Sequence, residues 1–248
     1  MDHKFPSQFL RERGSNDIED KFALNVQADG TEILKFKESQ TAEPPEFHSA
    51  RHASIAPKIC LIAPFPPPYG GMAIQAEKMA YLLSQDGWQI ITVRTNCLEL
   101  RKTNLLTKIP GLRTIVNLFL FLNNLKVSLK RTDVVYFYTG FSNFFFHITY
   151  PALLMIKLFS KPVILSARGG GARRFFERSQ VLSAFILRRI DLITTPSEYL
   201  KKDFREVLGL GTMIVPTIVE VEQFSFTERN AFRPKLIIAR NLEPIYDI

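Results

Sequence analysis

The stretch KICLIAPFPPPYGGMAIQAEKMAYLLSQDGWQIITV, residues 58–93, decides the fold class of this chain. It begins and ends with short runs rich in isoleucine and valine that barely alternate with polar residues, as in parallel strands covered on both faces. Between these runs, apolar side chains recur at the spacing of one helix face: Met72, Ala76, Met79, Ala80 and Leu83. Gly87 is placed to end that helix. The stretch therefore predicts a strand, a helix and a second, parallel strand.

The same alternation continues along the chain. Strands are predicted at residues 58–63, 89–94, 133–138, 162–166, 191–195 and 213–216, and KLIIAR at residues 235–240 reads as one more. Repeated strand–helix–strand units predict an α/β fold, a Rossmann-like parallel sheet with helices on both faces.

Residues 1–56 differ from the rest in composition. They hold 7 Lys/Arg and 10 Asp/Glu, whereas the remaining residues hold 25 basic and 14 acidic side chains. We interpret residues 1–56 as a mobile polar extension, in which TEILKFK (31–37) could form a strand but has no obvious partner. The basic excess elsewhere suits an anionic partner, whether a phosphate, a nucleic acid or an acidic membrane surface.

The cysteine content and the start of the chain limit the class of protein. Two cysteines, Cys60 and Cys97, exclude a disulfide scaffold and a multi-cysteine metal site. The chain opens on MDHKFPSQFLRERG, which has no apolar signal-peptide core, so we expect a cytoplasmic protein.

Two segments are markedly apolar. FFFHITYPALLMIKLF (144–159) is shorter than a bilayer requires and contains Pro151 and Lys157, which favours a buried crossover helix over a membrane span. GLRTIVNLFLFLNNLKVSLKR (111–131) has an apolar stripe bordered by basic residues. It predicts a sheet-covering helix, and a peripheral contact with the cytoplasmic face of a membrane is the alternative.

The first candidate site is the loop PFPPPYGG, residues 64–71, between a predicted strand and helix. Gly70 and Gly71 let backbone N–H groups come close to a ligand, and the helix N-terminus favours a phosphate or carboxylate. A simple strand-to-helix turn is the alternative interpretation.

The second candidate site is SARGGGARRFFERS, residues 166–179. Gly169, Gly170 and Gly171 are followed by a predicted helix, with Arg168 before them and Arg173 just after. Backbone N–H groups and guanidinium groups together can hold an anion. The alternative is that Arg173 and Arg174 are solvated side chains in the first turn of the helix.

Other sources of chemistry are not indicated. We expect neither a metal site nor a bound cofactor, because the sequence has no Asp-X-Asp pair, no metal-ligand cluster and no nucleotide-binding glycine motif. We expect His147 to be a packed or solvated imidazole and Cys60 to belong to the core.

Four segments resemble the N-terminal half of a family 4 glycosyltransferase, a retaining enzyme with two lobes (the GT-B fold). They are residues 58–93, RRIDLITTPSEYLKKDF (188–204), IVPTIVEVEQFSF (214–226) and PKLIIARNLEPIYDI (234–248). The resemblance implies an N-terminal, acceptor-side domain at residues 57–218. Residues 219–248 would then be the crossover and the first strand of a truncated donor-binding domain.

The resemblance also implies an activity and its partners. A sugar would pass, with retention, from a nucleotide-sugar donor to a sugar or lipid-linked acceptor, with no nucleic acid partner. Gly70 and Gly71 would approach the donor diphosphate or the acceptor, and Arg240 would contact the diphosphate. Arg168 falls where many relatives have a histidine near the reaction centre.

The chain ends before the glutamates that bind the donor in that family, so the resemblance implies a fragment that is inactive alone. Whether this chain is an enzyme stays open at this point. The alternative is a non-catalytic module that binds a phosphate, a sugar or a lipid headgroup. In either case we expect the glycine loops around Gly70 and Gly169 to open onto the same cleft, because both follow strands of one parallel sheet at their carboxyl ends.

Overall fold

A computed structural model describes residues 22–26, 32–36, 57–97, 110–221, 224–226 and 228. Its centre is a six-stranded sheet in the order β4-β3-β5-β6-β7-β8, in which every pair of neighbouring strands is parallel. The strands are β3 (Lys58–Ala63), β4 (Gln89–Arg94), β5 (Val134–Gly140), β6 (Val163–Arg168), β7 (Leu192–Thr195) and β8 (Met213–Ile214). The protein is thus a Rossmann-like α/β protein, which confirms the predicted fold class.

Helices connect these strands. They are α1 (Gly71–Gln85), α2 (Pro110–Leu129), α3 (Tyr150–Leu158), α4 (Ala172–Arg178), α5 (Gln180–Leu187) and α6 (Glu198–Leu208). A π-helical turn, Phe145–Thr149, leads directly into α3. Gly87 follows the end of α1 with a φ of +85°, so the prediction that it ends this helix is confirmed. KLIIAR lies outside the described residues.

The sheet has two apolar faces because side chains alternate along each strand. On one face, Leu61 and Ala63 of β3 pack with Ala76 and Ala80 of α1. On the other face, the core contains side chains of β3, β5, α2, α3, α4 and α6, among them Ile62, Phe137, Phe121, Ile156, Phe176 and Phe204. Helices therefore cover both faces, as predicted.

An aromatic cluster anchors the chain just after β5. The ring of Phe141 lies 4.7 Å from that of Phe176 and 5.5 Å from that of Phe204, and the last two are 4.9 Å apart. These edge-to-face contacts join the β5 loop to α4 and α6.

The two apolar segments fold as helices against the sheet. Within residues 144–159, Phe145, Ile148 and Ile156 are buried, so the crossover interpretation is confirmed. No helix in the described part of the chain is long and apolar enough to cross a membrane. In α2, Phe121 and Leu125 are buried. The peripheral membrane contact of this helix stays a prediction.

Residues 1–56 contain a two-stranded antiparallel sheet formed by β1 (Phe22–Val26) and β2 (Glu32–Phe36). The expectation that TEILKFK lacks a partner is therefore wrong. Its partner FALNV contains Ala23 and Asn25, which are uncommon in strands, and so was not recognisable from propensity. By its internal contacts, the chain divides into residues 1–218 and residues 219–248. The domain roles predicted for residues 57–218 and 219–248 stay predictions.

Substitution Phe204→Ala tests the aromatic cluster. Phe204 is fully buried, so we expect the free energy of unfolding to fall by about 3–5 kcal/mol because apolar contacts are lost and a cavity is left. Phe119→Ala is the matched control, since that side chain is 72% exposed and should change stability by less than about 0.5 kcal/mol. Urea unfolding measures both. Equal losses in the two variants would contradict the packing described here.

Asp191 joins three elements just before β7. Its Oδ2 accepts hydrogen bonds of 2.8 Å from the Lys157 ammonium group and from the Val163 backbone N–H. Burial raises the pKa of this carboxyl, but these two hydrogen bonds outweigh burial, and the net pKa is lowered. Because the folded-state pKa is depressed, the stabilisation is present above the ordinary pKa and is lost as the pH falls through the lowered value.

We therefore expect Asp191→Asn to lower the free energy of unfolding at neutral pH by less than about 1 kcal/mol, as for an exposed ion pair. The difference from wild type should shrink once the pH falls below the ordinary carboxyl pKa of 3.8. Urea unfolding across this range measures it. A difference that is the same at every pH would show that the Asp191 charge contributes nothing.

Candidate functional site

The two predicted glycine loops meet at one edge of the sheet. β3, β5 and β6 are adjacent and parallel, so the loops that follow them open at their shared carboxyl edge. Gly140, the last residue of β5, pairs with Arg168. A Cβ placed on Gly140 would lie 3.7 Å from the Arg168 carbonyl oxygen and 3.7 Å from Met72 Cε. Both loops therefore lie at one edge of the sheet, and that they open onto the same cleft stays a prediction.

Side chains at and just after the end of β4 hold the first loop, residues 64–71, in place. Arg94 Nη1 donates to the Phe65 carbonyl at 3.2 Å, and Asn96 Nδ2 donates to the same oxygen at 2.8 Å. Gly70 precedes α1 in an extended conformation, and no side chain caps the helix. A Cβ on Gly70 or Gly71 would meet no atom within 4 Å. Within the described residues, both positions therefore have open space where a side chain would stand.

Arg168 is a buried cation at the end of β6, with 9% of its surface exposed. Its Nε donates to Ser166 Oγ at 3.1 Å and its Nη1 to Thr217 Oγ1 at 3.3 Å. The guanidinium carbon lies 5.0 Å from the centre of the Tyr138 ring. Within the described part of the chain, these partners are all neutral and Arg168 makes no ion pair. Its charge is therefore uncompensated.

Further polar groups are buried on β5 and β7, the two strands that flank β6. The hydroxyl groups of Tyr136, Tyr138 and Thr194 are buried and have no hydrogen-bond partner among the described residues. Burial raises the pKa of Tyr138, and the charge of Arg168 only partly opposes this effect. The Tyr138 hydroxyl is therefore neutral and keeps its proton as a hydrogen-bond donor.

A pair of hydrogen bonds fixes the segment that carries Thr217. Gln75 Nε2 donates to the Ile218 carbonyl at 2.9 Å, and the Ile218 N–H donates to Gln75 Oε1 at 2.9 Å. Gln75 lies near the start of α1, so Thr217 is held beside that helix. Because Thr217 also contacts Arg168, the guanidinium lies close to the first turns of α1.

The glycines after Arg168 leave room for a ligand, but Arg173 points elsewhere. Gly169 has a φ of +93°, which favours glycine, and a Cβ on Gly170 or Gly171 would meet nothing within 4 Å. Arg173 forms ion pairs with three carboxylates: Glu177 at 3.1 Å, Asp203 at 3.5 Å and Glu206 at 2.9 Å. Because three carboxylates already pair with Arg173, we leave it out of the proposed anion site. Arg240 lies outside the described residues.

In the described part of the chain, the π-helical turn contributes lining residues to two cavities at the carboxyl edge. The larger, of about 660 Å³, is lined by Phe141, Ser142, Asn143, Phe146, Gly171, Arg174, Phe175, Arg178 and Ser179. The smaller, of about 360 Å³, is lined by Pro64, Thr95, Asn96, Arg113, Thr114, Asn117, Phe144, His147 and Ile148. Sequence reasoning missed the loop after β5. The signal that could have identified this loop is that it follows a predicted strand of the same parallel sheet, so that it lies at the same carboxyl edge as the loops after β3 and β6.

The structure also places the remaining candidates. Cys60 is fully buried, as expected, and burial raises the pKa of its thiol to about 12. His147 is exposed at the rim of the smaller cavity. Among the described residues, no cluster of three or more His, Cys, Asp or Glu side chains could hold a metal ion.

No model of a known protein family matches this chain, and no curated protein sequence matches it either. Among solved structures, it is similar to a 2-deoxyribosyltransferase from the psychrotolerant bacterium Bacillus psychrosaccharolyticus. The two are 17% identical with a TM-score of 0.36, and the match covers 65% of this chain and 99% of the other. A likeness this weak carries no argument about the reaction of this chain.

These findings overturn the family 4 assignment. The chain matches no family model, and a solved structure that it resembles is a 2-deoxyribosyltransferase rather than a GT-B glycosyltransferase. The activity that this resemblance implied, sugar transfer from a nucleotide-sugar donor, is overturned together with the family assignment. The motifs misled because they describe parallel βα units in general. In RRIDLITTPSEYLKKDF, for example, Ser197 is the N-cap of α6, where its side chain accepts a hydrogen bond from the Leu200 N–H.

Substitution Gln75→Met tests the geometry of the site. Methionine keeps the volume but removes both hydrogen bonds to Ile218, so we expect a loss of about 1–3 kcal/mol in stability. The Ile218 amide should also lose its protection from hydrogen exchange, which NMR measures directly. Unchanged protection at Ile218 would contradict the described attachment of this segment to α1.

Proposed function

We propose that this protein binds a small ligand through a phosphate or carboxylate group at the carboxyl edge of its sheet, with Arg168 as the charged residue. The observation that supports this is the buried guanidinium group, which has only neutral partners among the described residues. Gly70, Gly71 and Gly169–Gly171 are the backbone part of the same site.

The burial of the Arg168 guanidinium group has an electrostatic cost. An ion removed from water loses several kcal/mol of solvation even after the protein relaxes, and a partner of opposite charge normally offsets this loss. Hydroxyl groups and an aromatic ring offset only part of it. A bound anion would supply the missing charge at Arg168.

The donors that remain suit such an anion. Arginine has five N–H donors, and the hydrogen bonds of Arg168 to Ser166 and Thr217 use one at Nε and one at Nη1. The other donors can form the paired contacts that arginine makes with phosphate and carboxylate oxygens. The nearby N-terminus of α1, a helix of 15 residues, adds partial positive charge.

The experiment compares Arg168→Met with the wild-type chain. Without added anion, we expect the two to differ by less than about 1 kcal/mol in stability, since removal of an uncompensated buried charge offsets the lost hydrogen bonds. With inorganic phosphate at about ten times its dissociation constant, wild type should gain about 1.4 kcal/mol. The variant should gain nothing. Thermal unfolding and calorimetric titration measure these quantities.

Arg205→Met is the matched control, because Arg205 is exposed on α6 and its loss changes the net charge equally. This control should bind phosphate as wild type does. Equal stabilisation of all three proteins by phosphate would contradict the proposal. So would a loss of about 3–5 kcal/mol in Arg168→Met without phosphate, because Arg168 would then be a paired structural charge.

A further inference from the structure

We infer that the larger cavity is a second binding site, one that takes an anion attached to an aromatic or other flat apolar group. It lies between the loop after β5 and helix α4. Its volume of about 660 Å³ falls within the range of roughly 300–1,000 Å³ that is usual for small-molecule sites. This inference goes beyond the Arg168 site and does not depend on it.

One wall of the cavity is aromatic. The ring of Phe175 lies 5.1 Å from that of Phe146 and 5.9 Å from that of Phe141. Phe141 is nearly fully buried, whereas Phe146 and Phe175 are half-buried and line the cavity. Aromatic rings fixed by mutual contact and open on one side provide a rigid surface on which a flat apolar group can stack.

The cavity also carries positive charge. Arg174 and Arg178 are four residues apart on α4, so they lie on the same face of the helix and both line the cavity. Both side chains are exposed, and neither makes an ion pair or hydrogen bond with any described residue. Neighbouring Arg173 shows the contrast, since three carboxylates surround it.

Among the residues that the structure describes, no acidic side chain lines this cavity. Glu177, the acidic residue of α4, is paired with Arg173 instead. Two like charges at this spacing repel each other, and an anion between them removes that repulsion. Asn143 adds an exposed amide to the lining that can bind a polar substituent on the ligand.

The cavity is distinct from the Arg168 site. Arg168 lies over Tyr138, which belongs to the apolar face that α1 covers. Phe141 and Phe176 belong to the core on the opposite face of the sheet. The two sites therefore share the loop that contains Gly171 but use different side chains.

The experiment uses phenyl phosphate as the probe and inorganic phosphate as the probe without an apolar group. Calorimetric titrations are made in the Arg168→Met chain, so that the first site does not contribute, and are repeated in wild type. We expect saturable binding of phenyl phosphate in both chains. Arg174→Gln/Arg178→Gln should weaken it at least about tenfold, because two charge-assisted contacts are lost.

Arg188→Gln/Arg205→Gln is the matched control, since it removes the same charge from exposed positions outside the cavity lining. It should change the affinity less than about twofold, because exposed charges far from the ligand are screened. Phe146→Leu is the second variant. It should weaken phenyl phosphate binding in the Arg168→Met chain, and in the wild-type chain it should leave the binding of inorganic phosphate unchanged.

Three results would overturn the inference. The first is the absence of saturable binding of phenyl phosphate in the Arg168→Met chain. The second is equal weakening by the two double variants, which would show attraction to overall charge only. The third is an equal effect of Phe146→Leu on both probes. None of these results bears on phosphate binding by Arg168, so the experiments test the two proposed sites independently.

Discussion

Gly140 and Arg168 pair at the carboxyl ends of β5 and β6, and the arrangement of the whole edge depends on this pairing. Met72 from the start of α1 and the Arg168 carbonyl come close to Gly140 there, each 3.7 Å from where a Cβ would stand. Parallel pairing directs the loops after β3, β5 and β6 to the same edge. The glycine loops, the buried guanidinium and both cavities lie together for this reason.

The sequence was sufficient to predict the sheet because most of the strands contain a short run of buried apolar residues. KICLIA and QIITVR match β3 and β4 residue for residue, and the other strands differ from their predicted positions by a few residues at most. The end of helix α1 at Gly87 was equally predictable, because the positive φ needed there favours glycine. The β1–β2 pair was missed because Ala23 and Asn25 hide the strand pattern.

The site was harder to predict because its chemistry depends on partners distant in sequence. Arg173 belongs to a glycine- and arginine-rich segment that suggests anion binding, yet its carboxylate Glu206 lies 33 residues further on. Arg168 looked similar in the sequence but has only neutral partners, one of them 49 residues away. Local composition cannot distinguish a paired arginine from an unpaired one. The family resemblance failed for a related reason, because strand, turn and helix-cap patterns recur throughout parallel α/β proteins.

The central claim is that the buried Arg168 guanidinium group binds an anion. The most direct test follows the Nε–H resonance of Arg168 by NMR while inorganic phosphate is added to the full chain, with the assignment made from Arg168→Met. We expect this resonance to shift in a saturable way, while that of Arg205 stays constant. An Arg168 resonance that does not move at saturating phosphate, or that moves in parallel with Arg205, would contradict the account.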